Sequence, residues 1–124
     1  MSSGLDKWAV EIRGLCKNYG RVQALKGIGF SLKAGELVAF IGPNGAGKST
    51  TLKILTGQLP ASSGTVLVDG VDVLKDPGEA RKHIGYVPEE PVLYEYLSAR
   101  EFLEFIGAIR ESEGVDEALA FTEL

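Results

Sequence analysis

The residues Gly42-Pro43-Asn44-Gly45-Ala46-Gly47-Lys48-Ser49 fulfil every position of the pattern GxxxxGK[ST], which binds the phosphates of a nucleoside triphosphate. The residue types follow from the task. A row of backbone N–H groups can wrap phosphate oxygens only where the chain turns tightly and comes close. Gly42, Gly45 and Gly47 remove the Cβ atoms that would obstruct this. A following helix points its positive end at the anion. Lys48, a compact cation on a long stem, is suited to the β and γ phosphates, and the Ser49 hydroxyl to the Mg²⁺ that travels with them. Thr50 is expected to add an α-phosphate contact.

Such a loop needs a strand before it and a helix after it. Residues 37–41 form an unbroken apolar run, which predicts a strand buried on both faces inside a parallel sheet. Behind the loop, Leu52, Ile54 and Leu55 offer a helix over residues 50–56 one apolar face, and Gly57 can end it.

Upstream, Val10 and Ile12 alternate with Glu11 and Arg13, and Ile28, Phe30 and Leu32 alternate with Gly29, Ser31 and Lys33. This period marks two strands with one buried face each, expected to be antiparallel. Asn18-Tyr19-Gly20-Arg21 is a turn carrying an aromatic ring, and Lys33-Ala34-Gly35 is a second turn. Downstream, Pro60-Ala61-Ser62-Ser63-Gly64 is a loop, and Asp69-Gly70 between the apolar runs 66–68 and 71–73 signals a type I′ hairpin. The same run, ending in Asp69, also mimics the strand whose aspartate holds Mg²⁺ in phosphate-loop enzymes, but the hairpin is the preferred reading. Asp76-Pro77-Gly78-Glu79 supplies a cap, a proline at the first helical position and an acid three residues after the cap, so a short helix begins there and ends near His83. Residues 84–87 read as a second short apolar strand, followed by the stiff loop Pro88-Glu89-Glu90-Pro91. Ser98-Ala99-Arg100-Glu101 is a capping box, and the stripe of Phe102, Phe105, Ile106 and Ile109 behind it is expected to be core. Residues 115–124 make a weak helix.

A chain of 124 residues holds one domain at most. Thirteen basic against 17 acidic residues give a net charge of −4, with no basic cluster interleaved with aromatics, so nucleic acid is not an indicated partner. The first residues lack the apolar core of a leader, and no run approaches a membrane span. A lone Cys16 reads as a small buried apolar residue, and a lone His83 as a partly buried structural one.

The order Tyr19-Gly20, Ala24-Leu25-Lys26-Gly27-Ile28, Gly42-Pro43-Asn44-Gly45-Ala46-Gly47-Lys48-Ser49-Thr50, Gly64-Thr65-Val66, Ile84-Gly85-Tyr86-Val87-Pro88 and Leu93-Tyr94 closely resembles the ATP-binding subunits of ABC transporters. It is most similar to the branch that powers drug, polysaccharide or sodium export. The resemblance implies an α/β fold, a P-loop NTPase of ABC type with an antiparallel β subdomain. Residues 1–124 would form its N-terminal part, ending before the family's signature sequence, its Asp-Glu strand and its switch histidine. It further implies that Tyr19 stacks on adenine, that residues 42–50 hold ATP and Mg²⁺, and that Glu89 stands where most members carry a Mg²⁺-touching glutamine. Glutamate can still ligate through oxygen but brings a charge in place of an amide donor. The implied partners are a second ATP-binding subunit and a membrane permease docked on residues 89–105, which would place the protein in the cytoplasm, peripheral on the inner face of the membrane. None of Asp69, Glu89 or His83 replaces the missing catalytic groups convincingly, so these residues alone are expected to bind ATP without hydrolysing it. In the family's sheet the Asp-bearing strand separates the strands matching residues 37–41 and 84–87, so apolar strand edges are expected to be exposed. Two other readings remain: a stand-alone non-hydrolytic nucleotide-binding module, and a small phosphate-loop kinase using Asp69.

Overall fold

The computed structural model describes residues 7–41, 47–88 and 93–122. The chain divides into two units, Met1–Tyr86 and Val87–Leu124.

In the first unit, β1 (Trp8–Tyr19) and β2 (Val22–Lys33) pair antiparallel from Trp8↔Lys33 to Tyr19↔Val22, closed by Gly20-Arg21 with Gly20 at φ 59°. The other edge of β1 takes β3 (Ser63–Val68), which pairs in turn with β4 (Val71–Asp72), giving the order β2-β1-β3-β4 with every pair antiparallel. The expected hairpin is present: Asp69 and Gly70 take φ 49° and 80°, the two positive angles of a type I′ turn, and Val68 faces Val71.

The β1–β2 ladder is irregular at several places, and one of them overturns the inward-outward alternation in the core. The ladder shifts between Ile12 and Leu15, with Gly14 at φ 55°, so Ile12 and Leu15 both turn inward although three positions separate them. Cys16 is consequently half-buried, not buried as expected. Beside the bulge Gly64 lets β3 close on β1. A Cβ there would lie 2.6 Å from the Gly14 carbonyl oxygen and 2.7 Å from the Leu15 Cα.

Two helices complete the unit. In α1 (Lys48–Leu55), Thr51 and Ile54 are buried, and Ile54 joins Ile12, Leu15, Leu25, Val66, Val68, Val73 and Ala80 in one core. The expected stop holds: Gly57 follows the helix at φ 77°. Asp76 caps α2 (Pro77–Arg81) by accepting from the Glu79 N–H at 3.2 Å, as its sequence predicts. Arg81 at the far end donates to the carbonyls of Gly57 (2.6 Å) and Thr56 (3.4 Å), joining α2 to the last turn of α1. His83 is more exposed than expected, its side chain 36% accessible, and its Nδ1 lies 3.2 Å from Asp69 Oδ2.

Two expected strands do not form. Residues 37–41 and 84–87 have no strand structure, and Leu37, Ile41 and Val87 are 100%, 92% and 88% exposed. A strand inside a parallel sheet needs a hydrogen-bonded neighbour, and among the described residues neither run pairs with one. The exposed strand edges expected there are absent with the strands, and what these runs expose is apolar side chains.

In the second unit, the capping box starts α3 (Ala99–Arg110): the Glu101 N–H donates to Ser98 Oγ at 3.1 Å, and the Ser98 N–H to Glu101 Oε1 at 3.0 Å. An Arg100–Asp116 ion pair of 2.8 Å links α3 to α4 (Val115–Phe121), the expected weak helix. Tyr94 packs near Tyr96, Phe102 and Phe105 at centroid distances of 5.9, 6.1 and 5.9 Å. The stripe on α3 is nevertheless not core. No α3 residue is buried, and Phe105 and Ile109 are exposed: among the described residues of this unit, α4 and the aromatic segment leave the stripe partly uncovered.

Candidate functional site

The first unit brings the end of the phosphate-loop motif against the hairpin of β1 and β2. Gly47 sits at φ 85°, ψ 6°, a left-handed conformation that glycine adopts without cost. A Cβ on Gly47 would lie 2.6 Å from Leu25 Cδ2 and 3.2 Å from the Ala24 carbonyl oxygen. Conformation and space therefore both demand glycine at this motif position. Its carbonyl accepts two bonds from Thr51, from the N–H at 2.9 Å and the hydroxyl at 2.8 Å, which lock the end of the loop to the first turn of α1.

Helix α1 begins at Lys48, two residues before the start expected from its apolar face, so Lys48, Ser49 and Thr50 make up its first turn. The first N–H groups of a helix lack partners within it and carry partial positive charge. Here the N-cap residue, Gly47, has no side chain to cap them, and no acidic residue stands in the first turn. Ser49 is exposed, and Lys48 and Thr50 are half-buried. Such a terminus suits an anion.

Tyr19 ends β1 with 48% of its surface accessible, and Lys17 Nζ lies 5.3 Å from its ring centroid. Gly42, Pro43, Asn44, Gly45, Ala46 and Glu89 lie outside the described residues. Asp69 occupies a hairpin turn beside His83, a position unlike that of a Mg²⁺-holding aspartate at the end of a parallel strand.

Sequence reasoning missed Leu25 and Thr51 as supports of the site. Nothing in a period-two pattern separates Leu25 from other inward positions. Thr51 carried a readable signal, a β-hydroxyl four residues after Gly47, the spacing at which threonine bonds back to a helical carbonyl.

The family model described as ABC transporter matches residues 25–124. The chain belongs to the ABC transporter family. Among curated relatives, the Linearmycin resistance ATP-binding protein LnrL of Bacillus subtilis (strain 168) is 44% identical over 98 residues, covering 79% of this chain and 32% of LnrL. Among solved structures, one described as the ATP binding subunit of an ABC transporter aligns with a TM-score of 0.76 at 35% identity, over 82% of this chain and 42% of that one. A bacterial Atm1-family ABC exporter with ATP bound aligns with a TM-score of 0.62 at 32% identity, over 73% of this chain and 16% of that one. The chain thus spans about a third of LnrL's length. Its fold is the α/β phosphate-loop type of ABC ATPases in part, with the antiparallel β subdomain described above. Among the described residues no helix is long and apolar enough to cross a membrane.

Proposed function

We propose that this chain binds ATP with Mg²⁺ and, within the whole protein, powers transport of a substrate across a membrane, in the direction of export. The observation that carries the nucleotide site is Gly47, wedged against Leu25 and Ala24 in a left-handed conformation directly before a helix start that holds Lys48 and Ser49. These residues fit the ligand: the first turn of α1 carries Lys48 and adds no negative charge against phosphate.

Residues 42–50 hold the phosphates in this reading. Lys48 supplies a cation to the outer phosphates, and Thr50 a hydroxyl to the α phosphate. Ser49 and Glu89 ligate the metal, and Tyr19 takes the adenine on its ring. Bound Mg²⁺ would supply neutralisation of charge on the phosphates. LnrL is named for linearmycin resistance and the Atm1-family structure as an exporter, and both similarities support the direction. The partners in this reading are a second ATP-binding subunit and a permease contacting residues 89–105, which keep the protein on the cytoplasmic face of the membrane. A polypeptide of residues 1–124 alone binds ATP without measurable hydrolysis.

Calorimetric titration with Mg-ATP tests the site. Lys48→Ala is expected to weaken binding by about 100-fold, the order of losing a charge-assisted hydrogen bond of ~3 kcal/mol, with an unchanged circular dichroism spectrum. Undiminished ATP affinity in Lys48→Ala would remove the phosphate-loop assignment. Phosphate release by the 124-residue polypeptide, lost in Lys48→Ala, would overturn the binding-only reading.

A further inference from the structure

Lys17 and Tyr19 stand two residues apart on β1, and the Lys17 ammonium lies over the Tyr19 ring, 5.3 Å from its centroid. A cation in that place is attracted by the negative face of the phenol ring. Lys17 is half-buried while Tyr19 keeps 48% of its surface accessible, so the pair leaves ring surface for a second occupant. The cross-strand partner of Lys17 is Leu25, whose Cδ2 would touch a Cβ on Gly47. The lysine therefore stands one strand away from the residue that closes the phosphate loop.

We infer that Lys17 is a positioning residue for the nucleotide base: its ammonium holds one face of the Tyr19 ring and presets the opposite face as a platform for a purine. This rests on the reading of Tyr19 as the base platform. A tyrosine at a strand end otherwise samples several rotamers, and ordering it during binding subtracts from affinity. A ring held beforehand avoids that loss. Stacking uses the ring face, so cation and base occupy opposite faces and do not compete.

The test compares Mg-ATP with inorganic tripolyphosphate, which has no base, by calorimetric titration with Mg²⁺ present. Lys17→Met keeps the apolar stem and removes the charge. It is expected to lower ATP affinity about two- to fivefold, the range of an exposed cation–π contact, and to leave tripolyphosphate affinity unchanged. Lys17→Arg is expected to restore ATP affinity, and Lys17→Met is expected to add nothing in a Tyr19→Leu background. Lys17→Gln takes the place of Lys17→Met if the latter does not fold. Unchanged ATP affinity overturns the inference. So does a raised one, which would mean that the ammonium occupies the face the base needs. An equal loss for tripolyphosphate also overturns it, since Lys17 would then act on phosphate charge and not through the ring. If Tyr19→Leu leaves ATP affinity intact, the base-platform reading itself fails, an outcome distinct from a failure at Lys17 alone.

Discussion

The sheet built from residues 8–33 and 63–72 and the run 37–41 are both rich in apolar side chains, yet they meet opposite fates. Ile12, Leu15, Leu25 and Val66 are at most 2% exposed, whereas Leu37 and Ile41 are 100% and 92% exposed. The difference is one of partners. Two of the three antiparallel pairs form through a short local connection, Gly20-Arg21 for β1 and β2 and Asp69-Gly70 for β3 and β4, while β1 and β3 meet from distant parts of the chain and are held together as the middle of that sheet. An apolar run suited to a parallel sheet depends on strands brought from far along a chain. Hydrophobicity selects burial only where backbone hydrogen bonds can also be satisfied.

The sharpest way to break this contrast is Leu15→Ala. Leu15 is fully buried beside the β1 bulge, in a core that includes Ile12, Ile54 and Val66. Truncation is expected to cost about 2–5 kcal/mol, read as a lower urea midpoint or, if stability is small, as loss of the folded signal. A cost below about 1 kcal/mol would mean that the core is loosely packed and that the antiparallel sheet is not the stable part of the molecule.

What was legible in the sequence follows the same division. The Asp69-Gly70 turn, the Asp76 cap with Pro77, the Ser98-Glu101 box and the Gly57 stop all depend on a few neighbouring residues, and each took the expected conformation. Gly47 was read as a glycine needed for approach to phosphate, whereas the neighbours that a Cβ would meet in the structure, Ala24 and Leu25, carried no signal in the sequence. Features that depend on distant partners were read less well. The runs 37–41 and 84–87 carry the composition of buried strands without the neighbours, and the stripe on α3 carries helical periodicity, yet the described residues of its unit leave it partly uncovered. Cys16 failed for a local reason, since a bulge at Gly14 resets the alternation and composition alone does not announce it.

A middle-sized effect is expected in the second unit, where α3 has no buried residue and its end is secured by local bonds. Ser98→Ala removes the cap from the Glu101 N–H and is expected to cost about 1 kcal/mol of helix stability, seen as reduced helical circular dichroism. The Glu101 carboxyl is held below its ordinary value of 4.5, first by the Ser98 backbone N–H and then by the Ser98 side chain. A depressed carboxyl pKa stabilises the folded form above the ordinary value, and that contribution disappears as pH falls through the lower folded value. Helix signal from α3 should therefore decline on acidification below about pH 4.5. Glu101→Gln should flatten the response, and an identical acid profile in that variant would show that the box does not secure the helix.

The smallest expected effect sharpens the opening contrast most. Leu37→Ala removes a leucine side chain from a position that is fully exposed. If burial and not composition sets the cost, the change in stability of the 124-residue polypeptide lies within about 0.5 kcal/mol, as for other surface substitutions. The same leucine-sized loss at Leu15 is several times larger, so composition at the two sites is matched and only the surroundings differ. A cost at Leu37 approaching that at Leu15 would mean that residues 37–41 are covered in solution, by a second copy of the chain or by the polypeptide itself. A concentration-dependent melt would separate the two, because only association between copies makes the transition depend on protein concentration.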